Sequence, residues 1–155
     1  MFKKEYDGKN VEIMGKWYIK NYGPNGVLKE DISGKNVITE NGLSFLASFL
    51  NSAVAGAGTW DMDQIGIGTD ATAEAASNTA LGTELARTTG TASYVSDAIY
   101  RVTATFAAGT GTGAIVEYGL FSSSTGGTMF SRDTESVINK AAGDTLVVTT
   151  EITFS

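Results

Sequence analysis

The run from Asp144 to Phe154 constrains the fold more than any other part of the chain. Leu146, Val148, Ile152 and Phe154 fall on one side of an extended backbone, and Val147, Thr149, Glu151 and Thr153 fall on the other. Successive side chains of a strand point to opposite faces, so a period of two in β-branched residues predicts a strand with one face buried. Such a face needs a second layer to cover it, and the residues upstream offer strands for that layer rather than helices.

From Ala114 onward the chain reads strand, glycine turn, strand, turn, long strand. Before it, Tyr94 to Phe106 has strand character, with Tyr100, Val102, Ala104 and Phe106 alternating against Arg101, Thr103 and Thr105, and Gly109 to Gly113 reads as a hairpin loop. Near the start, Val11, Ile13, Trp17 and Ile19 alternate with Glu12, Met14, Lys16, Tyr18 and Lys20, with Gly15 at a position suited to a bulge. Asn21 to Gly26, which holds the only proline, is a turn cluster, followed by an extended stretch from Val27 to Ile32. Gln64 to Thr69 predicts a short strand whose Gly66 and Gly68 let another part of the chain come close.

One segment has helical spacing. Asn41 to Asn51 repeats apolar residues at intervals of three and four, with Thr39 or Asn41 as N-cap and Leu43, Phe45, Leu46, Phe49 and Leu50 as expected core. The stretch from Asp70 to Ala92 is rich in Ala, Thr, Ser and Asn and reads as a long excursion with one helical turn near Ala71 to Ala76. The fold class expected is mainly β: an antiparallel β-sandwich or jelly-roll-like domain with one short buried helix. At 155 residues one domain is expected. Residues 1–34 form an N-terminal arm and first strand within the same unit as a sandwich spanning 35–155.

A net charge of −6 leaves no electrostatic footprint for phosphate, and the lysines near the start are interleaved with Glu5, Asp7 and Glu12, so no nucleic-acid partner is expected. The chain has no cysteine and no histidine, which removes disulfides, thiolate metal sites and histidine-assisted nucleophiles by inventory. Met1 to Asp7 does not resemble a secretory signal, and the longest mostly apolar stretch, Leu43 to Leu50, is too short to span a bilayer, so a soluble protein with no membrane partner is expected.

Motifs for catalysis are weak. Gly66-Ile67-Gly68 has Ala71 where a dinucleotide fingerprint needs its third glycine, and Gly34-Lys35 is followed by Asn36 rather than Ser or Thr. Asp61, Asp63 and Asp70 lie close in sequence but lack the spacing of a calcium loop. Two of Glu84, Glu117 and Glu151 could be paired for glycosidase chemistry, although sequence gives no separation between them. Glu117 stands out because it sits inside the apolar run Ile115 to Phe121, where a buried carboxylate needs a partner; Arg87 or Arg132 is expected to supply one as a structural ion pair. Trp17, Tyr18, Trp60 and Tyr94 are weighed as stacking platforms for a glycan against the alternative of core or subunit contacts. No catalytic residue, cofactor or metal is expected, and the candidate interface residues are Phe2, Tyr6, Trp17 and Trp60.

Several phrases in order carry a resemblance. Lys35-Asn36-Val37-Ile38-Thr39-Glu40-Asn41-Gly42-Leu43, Ile65 to Thr69, Leu81-Gly82-Thr83-Glu84-Leu85-Ala86-Arg87, Glu117 to Phe121, Met129 to Arg132, Lys140 and the closing strand together resemble tailed-bacteriophage virion structural proteins, over roughly Lys35 to Phe154. That group includes capsid decoration or cement proteins and tail-fibre or tail-tip components. The resemblance implies a non-enzymatic structural role in the virion, with a β-sandwich as assembly module and no catalytic residues to carry over. Tail fibres carry repeats or trimeric stalks, and this chain shows neither. The expected function is therefore a capsid decoration or cement protein at the capsid surface, a homo-oligomer such as a trimer, bound to the major capsid protein or other virion proteins. The alternative is a short tail component: a fibre-attachment, tip, or receptor- or carbohydrate-binding protein.

Overall fold

The computed structural model describes residues 12–50, 61–96 and 99–155, with side chains in the helix described as far as Leu46. Nine strands and one helix follow in the order β1 (Ile13–Tyr22), β2 (Leu28–Ile38), α1 (Glu40–Leu50), β3 (Gln64–Gly68), β4 (Glu84–Thr89), β5 (Thr91–Ser96), β6 (Ile99–Phe106), β7 (Gly113–Phe121), β8 (Met129–Lys140) and β9 (Thr145–Phe154). All pairings are antiparallel, in the spatial order β4-β3-β7-β8-β2-β1-β9-β6-β5. The sheet curls so that its two halves face each other, giving the mainly β, sandwich-like fold with one short helix that the alternation predicts.

β2 makes the corner. Its residues from Leu28 to Asn36 pair with β1, while Val37 and Ile38 pair with Arg132 and Ser131 of β8, so the strand passes from one layer to the other at Asn36. At the far side a single residue, Gly90, separates β4 from β5, the two borders of the sheet. Its N–H donates to Asp63 O at 2.7 Å.

The core lies between the halves. Trp17, Ile19, Val102, Phe106, Leu146, Val148 and Ile152 come from one layer, and Ile65, Ile67, Ile115, Tyr118, Leu120 and Ile138 from the other. Trp17 and Tyr118 meet across the middle with ring centroids 6.0 Å apart, tilted by 38°. Burying such side chains supplies most of the driving force, at about 25 cal/mol per Å² of apolar surface.

Several sequence expectations need correction. β2 continues through Gly34 to Ile38 rather than ending near Ile32, and the expected boundary after residue 34 falls inside this strand. Gly15 is no bulge: it stays in register with Asn36, whose side chain packs where a Cβ on residue 15 would sit. The excursion from Asp70 to Ala92 contains β4 and the start of β5, and no helix forms at 71–76. α1 begins at Glu40 behind Thr39, whose hydroxyl accepts the Gly42 N–H at 3.0 Å as an N-cap. The helix is less buried than its spacing suggests, because it lies at the side of the sandwich: Leu43 is 47% exposed, while Phe45 and Leu46 pack against the core. Phe49 and Leu50 lie beyond the described side chains.

Candidate functional site

The outer face of β3 and β7 is a track of missing side chains. Ile65 and Ile67 enter the main core, so the intervening Gly66 and Gly68 face the other way, as does Gly119 directly opposite Gly66. A Cβ on Gly66 would lie 2.9 Å from the Phe121 ring and 3.1 Å from Leu81, and one on Gly68 would lie 2.4 Å from both Glu117 Oε1 and Thr83 O. Into this track drops the segment 69–83, with Leu81, Phe121 and Met129 forming a second small core beneath it.

Glu117 holds that segment down. Register slips between Ile115 and Glu117 on β7, which turns Glu117 away from the main core while Tyr118 and Leu120 still enter it. The carboxylate is fully buried, and it accepts the N–H groups of Thr83 at 2.8 Å, Gly82 at 2.8 Å and Asp70 at 3.1 Å. Arg132 completes its shell, donating through Nη2 at 3.0 Å and Nε at 3.2 Å. The other side of the guanidinium donates to Thr72 O at 3.0 Å and Asn78 Oδ1 at 3.2 Å. A buried charge is tolerable only when paired and hydrogen-bonded on all sides, and both conditions are met here.

The segment is tied at further points. Asp70 Oδ1 accepts Thr72 N–H at 2.9 Å and its hydroxyl at 2.8 Å, and these bonds hold the Asp70 carboxyl below the usual carboxylate range. Glu40 N–H donates to Ala76 O at 2.8 Å, joining the segment to the start of α1, and the Thr134 hydroxyl donates to Glu74. What remains outward is uncharged and small: Ala71, Thr72, Ala73, Ala75, Ala76, Ser77, Thr79 and Ala80 are all exposed. The arrangement is a tied-down platform of small, mostly uncharged residues, within which Asp70 and Glu74 are only partly exposed.

Of the two arginines considered for Glu117, the structure places Arg132 there and sends Arg87 elsewhere. Arg87 donates to Glu84 at 2.8 and 2.7 Å and to the carbonyls of Ser123 and Gly126 at 2.8 Å, with its guanidinium 3.5 Å from the centre of the Phe121 ring. Glu151 pairs with Arg101, directly opposite it on β6, at 2.7 Å through Nε. Each of the three glutamates thus has its own arginine. Among the described residues no group of three or more Asp or Glu side chains is placed to hold a metal ion, and no helix is long and apolar enough to cross a membrane.

The interface candidates separate. Trp17 is fully buried in the core, because Trp17 and Ile19 share the inward phase of β1, and so it presents no surface to a partner. Phe2, Tyr6 and Trp60 lie outside the described residues. Among the other aromatics, Tyr18 is half-buried and donates to Glu151 at 3.2 Å, whereas Tyr94 is 85% exposed. Tyr94 borders a recess of about 560 Å³ lined also by Phe45, Tyr100, Phe130, Ile152 and Phe154. Tyr100 donates to Met62 O at 3.0 Å, and burial, followed by the charges of Asp63 and Asp61, pushes its phenol up to about 12.

Two charged groups escaped the sequence reading. Asp133 lies at an inward position of β8, 1% exposed, and burial together with Glu135 and Glu74 raises its carboxyl to about 7. Lys140, also 1% exposed, donates to Ala107 O at 3.1 Å and Asp144 O at 2.8 Å, tying two turns together; burial lowers its pKa. Simple alternation could not place both inward, because they lie seven residues apart and the register irregularity between Thr134 and Ile138 changes the phase of β8 between them.

Comparison of the chain with protein-family models, with curated proteins and with solved structures returned no match.

Proposed function

We propose that the protein is a non-enzymatic virion structural protein of the capsid decoration or cement type, a homo-oligomer that docks on a larger shell and bridges its subunits. The observation that carries this reading is the platform at 69–83. A segment without helix or strand, held by a fully buried carboxylate–guanidinium pair, presents a surface of small, mostly uncharged residues that is already ordered before docking. Small residues let a partner approach closely, and the two carboxylates of the segment, Asp70 and Glu74, are tied to Thr72 and Thr134, which limits the charge stranded at an interface. The order of phrases that resembles tailed-phage virion proteins maps onto this device: it includes Ile65 to Thr69, Leu81 to Arg87, Glu117 to Phe121 and Met129 to Arg132.

A ligand that binds only the assembled shell stabilises it by mass action. The test is the melting temperature of purified particles with and without the protein, and with a Thr79→Lys variant that puts a charge on the platform. Wild type should raise the melting temperature and Thr79→Lys should not. An unchanged particle melting temperature with wild type removes the reading.

The second reading is a short tail component that binds a receptor or carbohydrate, and the aromatic recess beside Tyr94 favours it. Exposed aromatic rings at the mouth of a concave site suit the apolar faces of sugars. Glycan-array binding that is lost in Tyr94→Ala would support this reading over the first.

A further inference from the structure

β5 is exposed at all six of its positions. It borders the sheet, pairing with β6 on one side, and among the described residues no strand pairs with its other side. A border strand presents a row of free N–H and C=O groups that will accept another strand unless charge, proline or a cover protects it. The opposite border, β4, is protected by Glu84 and Arg87, which close on each other. Thr91-Ala92-Ser93-Tyr94-Val95-Ser96 has no charge and no proline, and it carries two exposed apolar side chains, Tyr94 at 85% and Val95 at 42%.

We propose that β5 is the joint between two copies of this chain, the two β5 strands pairing antiparallel about a two-fold axis so that each sheet continues into the other. This rests on the homo-oligomer in the proposed function and adds its surface and symmetry: a two-fold joint, not the three-fold of a trimer. Charge selects a second copy as the occupant. Each chain carries −6, so two copies meet with least repulsion over a strip without ions. On the neighbouring strand β6, Arg101 is matched by Glu151 and Thr103 bonds Thr149, so that strand adds no unmatched charge beside β5. Antiparallel pairing of a strand with itself is self-complementary, so no second matching surface is needed. The free backbone groups of β5 supply the hydrogen bonds, and burial of Tyr94 and Val95 adds apolar contact.

The test is the solution mass of the full chain by sedimentation, with variants. Wild type should be a dimer that dissociates on dilution. Tyr94→Lys and Ala92→Lys, which place like charges across the joint, should be monomeric with unchanged far-ultraviolet dichroism, while Thr79→Lys should remain dimeric. Because the chain has no cysteine, a thiol introduced singly by Ser93→Cys, Tyr94→Cys or Val95→Cys reports proximity: at least one should yield an oxidised covalent dimer, and Thr79→Cys should not. A monomeric wild type, an oligomer that survives both lysine variants, or no cross-link at any of the three positions overturns the proposal. A monomer whose Tyr94→Lys variant loses particle binding also overturns it, giving the edge to a strand of the particle. A dimer that dissociates in Tyr94→Lys but never shifts the particle melting temperature upholds the joint and removes the decoration role.

Discussion

Asp133 sits directly opposite Tyr118 across the β7–β8 ladder, both inside the sandwich, and among the described residues neither Asp133 Oδ2 nor Tyr118 Oη has a hydrogen-bond partner. Burial, compounded by the negative charges of Glu135 and Glu74, raises the Asp133 carboxyl to about 7 from an ordinary 3.8. Tyr118 is pushed up by burial and by the charges of Asp133, Glu135 and Glu30.

The first prediction is a pH dependence. With its folded pKa above its unfolded one, Asp133 binds more protons in the native state between about 4 and 7. Its contribution to stability is therefore full at the acidic end and lost as pH rises through 7. Asp70 and Asp144, held below the usual range, act oppositely and only as pH falls below about 4. Urea denaturation should show greatest stability near pH 4–5 and a decline toward pH 8. Asp133→Asn should flatten that decline, and an unaltered profile in this variant would refute the assignment.

The second concerns the clamp. Arg132→Met leaves the Glu117 carboxylate buried without its cation and should cost about 3–5 kcal/mol, with Glu117→Leu costing a similar amount. The double variant should be more stable than the sum of the two losses implies, by at least ~1 kcal/mol, because the pair is coupled. Limited proteolysis should cut between 70 and 82 faster in either single variant than in wild type.

The third separates space from backbone conformation at glycine. Gly68→Ala drives a methyl into Glu117 and Thr83, and should destabilise by about 1–3 kcal/mol while loosening the 69–83 segment. Gly109→Ala meets nothing within 4 Å but sits at φ +83°, so its cost of about 1–2 kcal/mol should leave proteolysis of that segment unchanged.

The fourth tests whether Arg87 works through geometry or charge alone. Arg87→Lys keeps the charge but loses the fork to Glu84, the bonds to Ser123 and Gly126, and the stacking on Phe121. Thermal denaturation should show a loss of about 1–2 kcal/mol, with faster amide exchange in residues 122–128. A neutral substitution would mean that the fork contributes nothing beyond its charge.

The parts of the fold visible in the sequence are those with one wet face and one dry one. β9, β6 and β1 show alternation because Leu146, Val102 and Trp17 have outward neighbours of different polarity. β5 shows none because every position is exposed, so no periodicity can mark it. β2 shows only as far as Ile32 in the sequence because its inward positions beyond it are Gly34 and Asn36, residues that read as a turn. Glu117 was legible as a charge in an apolar run, and the same phase argument, applied to Trp17, would have assigned it to the core rather than to an interface. The choice between Arg87 and Arg132 is not legible, since both face outward, opposite Gly66 and Gly119, and it depends on which of them the pairing sets beside Glu117.

β1 lies between β2 and β9, paired to β9 from Ile13 to Tyr22 against Thr145 to Phe154. On the ribosome, β1 and β2 can form their hairpin early, but the inner edge of β1 has to wait until residues 145–154 have emerged. Synthesis therefore leaves a long strand holding Trp17 and Ile19 with one edge unpaired until β9 follows, and sheet closure becomes a step dominated by contacts distant in sequence. A chain of this topology cannot close its sheet until β9 has been made, however well its earlier hairpins form.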